Sequence, residues 1–304
     1  MTIRSDNRGQ TTVLTLVFMT VLLGMAALVL DVGSWYRSDR ALQQTADAAA
    51  LAGAQALPES TGNATGLAIE YADKNGGGLS GAGGGIAFSG SFMANDTIKV
   101  NMTKQAPGFF SNVFGLKSVT VGAHASARIG TMNAAQYAAP IGVDIKHPML
   151  SGNGCPCFGQ NTTLDLEKVG PGAFRILDID GSRGGTGQQI LGDWITHGLD
   201  AYMPLDWYNS DSGAKFNASE VKAALTARIG TELLFPVYRA IQSQGTNLQY
   251  EVIGWVGFHL TGFKGNGNSG TLDGWFTRVI WQGIQGQSGS GSPDFGARSV
   301  QLVD

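Results

Sequence analysis

The apolar positions begin as one unbroken block. Thr11 to Leu30 is a run of twenty residues without a charge, and at about 1.5 Å per residue it spans roughly 30 Å, the hydrocarbon thickness of a bilayer. A cleaved signal peptide has an apolar stretch of only about 7–15 residues, so an intact membrane anchor is expected. Arg4 and Arg8 precede the run, and Asp31, Arg37, Asp39 and Arg40 follow it. The short basic end is expected in the cytoplasm, with everything after the span exported. No proline interrupts the chain before Pro58, and Ala41, Ala46, Ala48, Ala49, Ala50, Ala52, Ala54 and Ala56 favour helix. The predicted rod therefore continues beyond the membrane and ends near Leu57, because a residue before proline avoids the α region. Its small residues, Gly24 within the span and Ala49 and Gly53 beyond it, suit close packing of another helix, or simply an isolated anchor.

After the rod the periodicity shortens. Thr61–Asn75 reads as a short helix with Leu67, Ile69, Tyr71 and Ala72 as its apolar positions, and Gly76–Gly85 as a glycine-rich turn. Strict alternation predicts strands at Thr97–Thr103 and Ser118–Ile129. The aromatics between them, Phe109, Phe110 and Phe114, are expected in the core, since large rings dominate core burial. Further on, Phe174–Asp180 is a predicted strand. Gln188–Leu199 and Asn217–Ile229 are predicted helices, the second capped by Asn217 or Ser219. Glu232–Ile241, Leu248–Phe263 and Gly274–Gln285 are predicted strands, with a hairpin turn at Gly265–Gly270. Gln287–Ser292 is a Gly/Ser tail, and Ala297–Val303 a candidate edge strand. The fold class is α+β: a transmembrane and extended helix at 1–57, a small α/β unit at 58–133, and a β-rich α+β domain at 134–304.

Composition narrows the function. The chain has 304 residues, a net charge of −3 and 14% charged residues, which excludes a disordered polyelectrolyte and a basic nucleic-acid binder. The 45 glycines lack a collagen period. Two cysteines do not complete a zinc site. Cys155-Pro156-Cys157 leaves open a local disulfide, an intermolecular disulfide, a redox pair or half of a metal site, with a disulfide favoured outside the cytoplasm. Asp178-Ile179-Asp180-Gly181 has its glycine too early for a calcium loop, and Gln189 stands where the bidentate glutamate belongs. The glycines of Gly181–Gly187 are followed by no Gly-Lys-Ser/Thr. No catalytic set, cofactor or metal is expected.

The residues Arg8-Gly9-Gln10, Ala26–Gly33, Tyr36, Arg40, Leu42-Gln43 and Ala46–Ala54 together resemble the TadE/TadG-like domain of bacterial tight-adherence (Flp) pilus assembly proteins. Tyr71-Ala72, Asn75-Gly76, Phe110 and Phe114-Gly115 are similar to the region after it. The C-terminal strings Phe174–Gly181 and Ile253–Phe258 resemble exported TadG-like proteins more loosely. The resemblance implies a non-enzymatic, single-pass component or minor pilin-like subunit. Its implied partners are the lipid bilayer, other pilus assembly proteins and a homo-oligomer or filament, with a part in adhesion and biofilm formation. Prepilins of that system carry glutamate at the fifth mature position, where a cut after Gly9 would place Leu14, so an uncut anchor is expected. Asp144–Pro148 lacks the serines of the metal-binding motif in longer relatives. The alternative is a surface module that recognises carbohydrate through Trp207, Tyr208, Trp255, Trp275 and Trp281. Burial of those rings argues for a structural role, and exposure for binding.

Overall fold

An alanine-rich stretch with no internal proline forms a single helix, α1 (Arg8–Ala54), 47 residues long. In the computed structural model the described residues are 8–77, 79, 85–166, 174–181, 185–211, 213–244, 247–266, 269–286 and 293–303. Most of the predicted Gly76–Gly85 turn, all of Gln287–Ser292, the centre of Gly181–Gly187 and the tip of Gly265–Gly270 lie outside them. α1 stops three residues earlier than Pro58 alone predicts. Turn bonds from Gln55, Ala56 and Leu57 to the carbonyls of Ala52, Gly53 and Ala54 tighten its end.

The chain divides into two units, Met1–Arg128 with Gln301–Asp304, and Ile129–Val300. In the first, α2 (Thr61–Lys74) begins where the Ser60 hydroxyl accepts the Asn63 N–H at 3.1 Å. Its buried stripe is Ala64, Ala68 and Ala72. The expected apolar position Tyr71 is exposed: the small alanines let α2 lie close against α1, and Lys74 stacks over the outward tyrosine ring. The strands are β1 (Ile86–Ser89), β2 (Thr97–Pro107) and β3 (Ser118–Ala135), paired antiparallel. β2 and β3 form one ladder from Thr97↔Arg128 to Pro107↔Ser118. Inward alternation of Ile98, Val100, Met102, Val121, Ala123, Ala125 and Ala127 supplies the sheet's buried face.

The division between the units falls inside β3, ahead of the boundary expected after Asn133. In the second unit the end of β3 pairs with two of the short strands below. The elements are β4 (Ile141–Asp144), α3 (Pro148–Ser151), β5 (Asn161–Asp165), β6 (Phe174–Asp178), α4 (Gln188–Thr196), β7 (Met203–Pro204) and β8 (Trp207–Ser210). They continue as α5 (Ser219–Arg228), β9 (Glu232–Gln244), β10 (Asn247–Asn266), β11 (Ser269–Thr277), β12 (Val279–Ile280), β13 (Gly283–Gln285) and β14 (Ala297–Val303). β10 pairs with both β8 and β9, β9 with β4, β4 with β6, and β6 with β8. Five strands thus close on themselves, and β11 and then β5 extend outward from β10.

The predicted strand Gly274–Gln285 is broken because the chain changes partners. β11 stays on β10, β12 runs parallel to β14, and β13 joins β7 on β3. α5 is preceded by Ala218, which makes no side-chain cap bond, in place of the expected Asn217 or Ser219. The Asn217 amide donates to the Ser269 carbonyl instead. The core is aromatic: Phe235 stacks on Phe258, whose ring meets Phe276 edge-on, and Tyr238 meets Tyr250 edge-on.

Candidate functional site

α1 has two halves with opposite surroundings. From Val13 to Leu30 the large apolar side chains are exposed. The hydroxyls of Thr15 and Thr20 donate to the carbonyls four residues earlier, at 2.8 Å. Among the described residues this is the one helix long and apolar enough to cross a membrane. Beyond it the helix becomes a structural member of the first unit, where Leu42, Ala46, Ala49, Ala50 and Ala54 are buried.

The change happens at Asp31, which is 1% exposed although it directly follows the apolar run. Its carboxylate accepts the backbone N–H groups of Phe109 at 3.0 Å, Phe110 at 3.2 Å and Ser111. Four residues on, the Trp35 indole donates to the Pro107 carbonyl at 3.1 Å. Two turns further, the Gln43 amide donates to the His124 carbonyl, and the Thr45 hydroxyl to the Asn75 carbonyl. Side chains of α1 thus grip the hairpin and the end of α2 at successive levels. Outside this contact Tyr36 is exposed, with the Arg40 guanidinium 5.3 Å from its ring centre.

The three small positions singled out in the sequence have different fates. Gly24 lies in the exposed half, and a methyl group added there would meet nothing within 4 Å. Ala49 is wholly buried. A Cβ at Gly53 would come within 2.6 Å of Ile98 Cδ1 and 2.9 Å of the Ala64 carbonyl oxygen. The closely approaching helix at Gly53 is this chain's own α2. Cys155 and Cys157 are joined to each other.

Phe109, Phe110 and Phe114 do not enter the core as expected. They are 67%, 46% and 85% exposed, because the hairpin is long enough to carry its tip past the packed part of the sheet. Asp31 was not singled out in the sequence. The available signal was a lone acid at the end of an apolar run, paired with no local basic partner.

In the second unit Trp255 and Tyr208 are buried, which makes them core residues, whereas Trp207, Trp275 and Trp281 are half-buried. The Trp281 indole is tied to the Gln136 carbonyl at 2.8 Å. Trp275 stacks on His259 with ring centres 4.2 Å apart. It borders a hollow of 550 Å³ whose other lining residues include Asn161, Thr162, Thr163, Thr261 and Asp273. The Thr163 hydroxyl donates to the Asp273 carboxylate at 2.6 Å. Beneath the stack, the His259 ring lies 3.0 Å from the Glu232 carboxylate, and that hydrogen bond holds the Glu232 carboxyl below the usual carboxylate range. No group of three or more His, Cys, Asp or Glu residues converges among the described residues.

Comparison with known proteins bears on the helix. Residues 9–56 match the family model described as putative Flp pilus-assembly TadE/G-like. The match covers α1 from its second residue and two residues beyond its end. No curated protein and no solved structure matches the chain.

Proposed function

We propose that this chain is a non-enzymatic, membrane-anchored component of a tight-adherence (Flp) pilus assembly machine, in which α1 crosses the cytoplasmic membrane and both units lie outside it. One observation carries the reading. The TadE/G-like match falls on the helix that is bare and apolar over Thr11–Leu30 and enters its own fold from Asp31 onward. Such a helix supplies an anchor, and its bare half a surface for other membrane helices of the machine or for copies of itself in a filament. In this reading the N-terminus is cytoplasmic, and the β-rich unit is presented outward for protein contacts in pilus assembly and surface adhesion.

The test is genetic and biochemical. A deletion in the source bacterium should abolish or reduce pili seen by electron microscopy. The wild-type chain should restore them, and a chain with Leu16→Arg and Leu22→Arg, which cannot cross lipid, should not. Normal piliation and surface attachment in the deletion strain would remove the proposal. Labelling of the filament with an antibody to the β-rich unit separates a minor pilin from a component that stays in the membrane.

The hollow beside Trp275 favours a second reading, in which the outer unit binds a carbohydrate. A half-buried indole gives a sugar a flat apolar face, and the surrounding hydroxyls, amide and carboxylate match its hydroxyl groups. Glycan-array binding by the full chain, lost in Trp275→Ala with unchanged thermal unfolding, would support it. An array with no binding would leave the hollow without this role.

A further inference from the structure

The tip of the β2–β3 hairpin lies beside the apolar span of α1. From Pro107 to Leu116 it carries no charge, and five of its side chains are large, apolar and exposed: Phe109, Phe110, Val113, Phe114 and Leu116. Val113 and Phe114 are 83% and 85% exposed. Water-facing loops are rarely built so, since a contiguous apolar patch marks a place where something other than water is met. Asp31 fixes the level of the tip by accepting three of its backbone N–H groups at the end of the span. From there the tip turns along the span. Phe110, Ser111 and Phe114 share a hollow of 390 Å³ with Val21, Gly24, Met25, Ala27, Leu28 and Asp31. Val21 is ten residues before Asp31, about 15 Å along the helix axis, which is half the hydrocarbon thickness.

Most backbone N–H groups of the tip are paired within the protein. Gly108 N–H donates to the Lys117 carbonyl, Val113 N–H to Phe110, Gly115 N–H to Asn112 and Leu116 N–H to Ser111, all at 2.9–3.1 Å. The Ser111 hydroxyl donates to the Leu116 carbonyl. With Asp31 taking the N–H groups of Phe109, Phe110 and Ser111, seven backbone donors of the tip are paired within the protein, which lowers the cost of taking them out of water. The polar boundary stands just above. Lys104 and Lys117 flank the tip, and Trp35, Tyr36, Arg37 and Arg40 follow Asp31 on α1, the aromatic and basic residues favoured at headgroup level.

We infer that the hairpin tip Gly108–Leu116 inserts into the lipid bilayer beside α1, so that the first unit is held to the membrane at two points. The inference rests on the reading of α1 as a membrane anchor. Two attachments fix the orientation of the unit on the lipid surface, which a single helix leaves free to rotate about its axis.

The test uses the full chain in phosphatidylcholine vesicles containing phosphatidylglycerol. A nitroxide is attached at Val113→Cys, with Met25→Cys and Lys99→Cys as references; the native cysteines are bonded to each other and do not compete. Collisions with oxygen, which concentrates in lipid, are compared with collisions with a water-soluble nickel chelate. Val113 should resemble Met25, with an oxygen-to-nickel ratio several-fold above that of Lys99. A Val113 ratio equal to that of Lys99, while Met25 remains in lipid, overturns the insertion and leaves the anchor standing. Shielding of Val113 from both reagents with spin–spin broadening also overturns it, and places a second copy on the tip. A Met25 ratio equal to that of Lys99 refutes the anchor, and the insertion with it.

Discussion

Asp31 and Ser111 stand eighty positions apart, yet the Ser111 N–H is hydrogen-bonded to the Asp31 carboxylate at the point where α1 leaves its apolar span. The same carboxylate holds Phe109 and Phe110, so one side chain couples the helix to the hairpin tip. Asp31→Ala should release those three amides. Their hydrogen exchange should accelerate, while the amides of β2 and β3 near Ile98 and Ala127 keep their protection. Equal exchange in variant and wild type would show that the tip holds itself without Asp31.

Gly53 and Gly24 should respond oppositely to a methyl group. At Gly53 the added carbon meets the Ala64 carbonyl oxygen and Ile98, so Gly53→Ala should destabilise the first unit by about 1–3 kcal/mol, the usual cost of overpacking. Ala49→Leu should do the same, because Ala49 is fully buried. Gly24→Ala meets nothing and should leave unfolding unchanged. Chemical unfolding in detergent micelles measures both. Intact folding of Gly53→Leu combined with lost association with pilus proteins would return the position to a partner surface.

Asp96 gives the first unit an acid-sensitive joint. It is buried; burial pushes its carboxyl up, but N–H donors from Met93, Ser91 and Phe92 and the Thr97 hydroxyl outweigh that and hold it below the usual carboxylate range. A carboxyl depressed on folding stabilises the protein in full above its unfolded value of about 3.9, and the contribution is lost as pH falls through the folded value. Asp96→Asn should therefore be less stable than wild type at neutral pH, by about 1–3 kcal/mol. The gap should close below about pH 4, near the unfolded value. Unfolding curves that stay parallel from pH 7 to pH 3 would assign the acid sensitivity elsewhere.

Trp255 and Trp275 separate structure from surface. Trp255 is 2% exposed in the centre of β10, and Trp255→Ala should cost about 3–5 kcal/mol, read as a lowered melting temperature. Trp275, at the edge of its hollow, should cost less on substitution. A normal melting temperature for Trp255→Ala would contradict its place in the core.

The membrane helix was legible because its signal is local. Twenty uncharged residues followed by alanines without proline specify a helix and its apolar half, long enough to cross a membrane, whatever the rest of the chain does. The alternation of Ile98, Val100 and Met102, and of Val121, Ala123, Ala125 and Ala127, specified two strands for the same reason. Periodicity found α2 and its buried Ala72 but took Tyr71 as apolar-facing, since the rest of the buried stripe, Ala64 and Ala68, is visible only once α1 is known to pass close by.

What tertiary structure alone decided is which of these local elements meet. The exposure of Phe109, Phe110 and Phe114 depends on the register Pro107↔Ser118 and on a carboxylate eighty positions away. The breaks at β11, β12 and β13 depend on three different partner strands. Local sequence determines which faces are apolar, because side-chain direction follows the period of the backbone. It does not determine what covers each face, because that choice is made by contacts between distant segments and by how closely their particular side chains allow the backbones to approach.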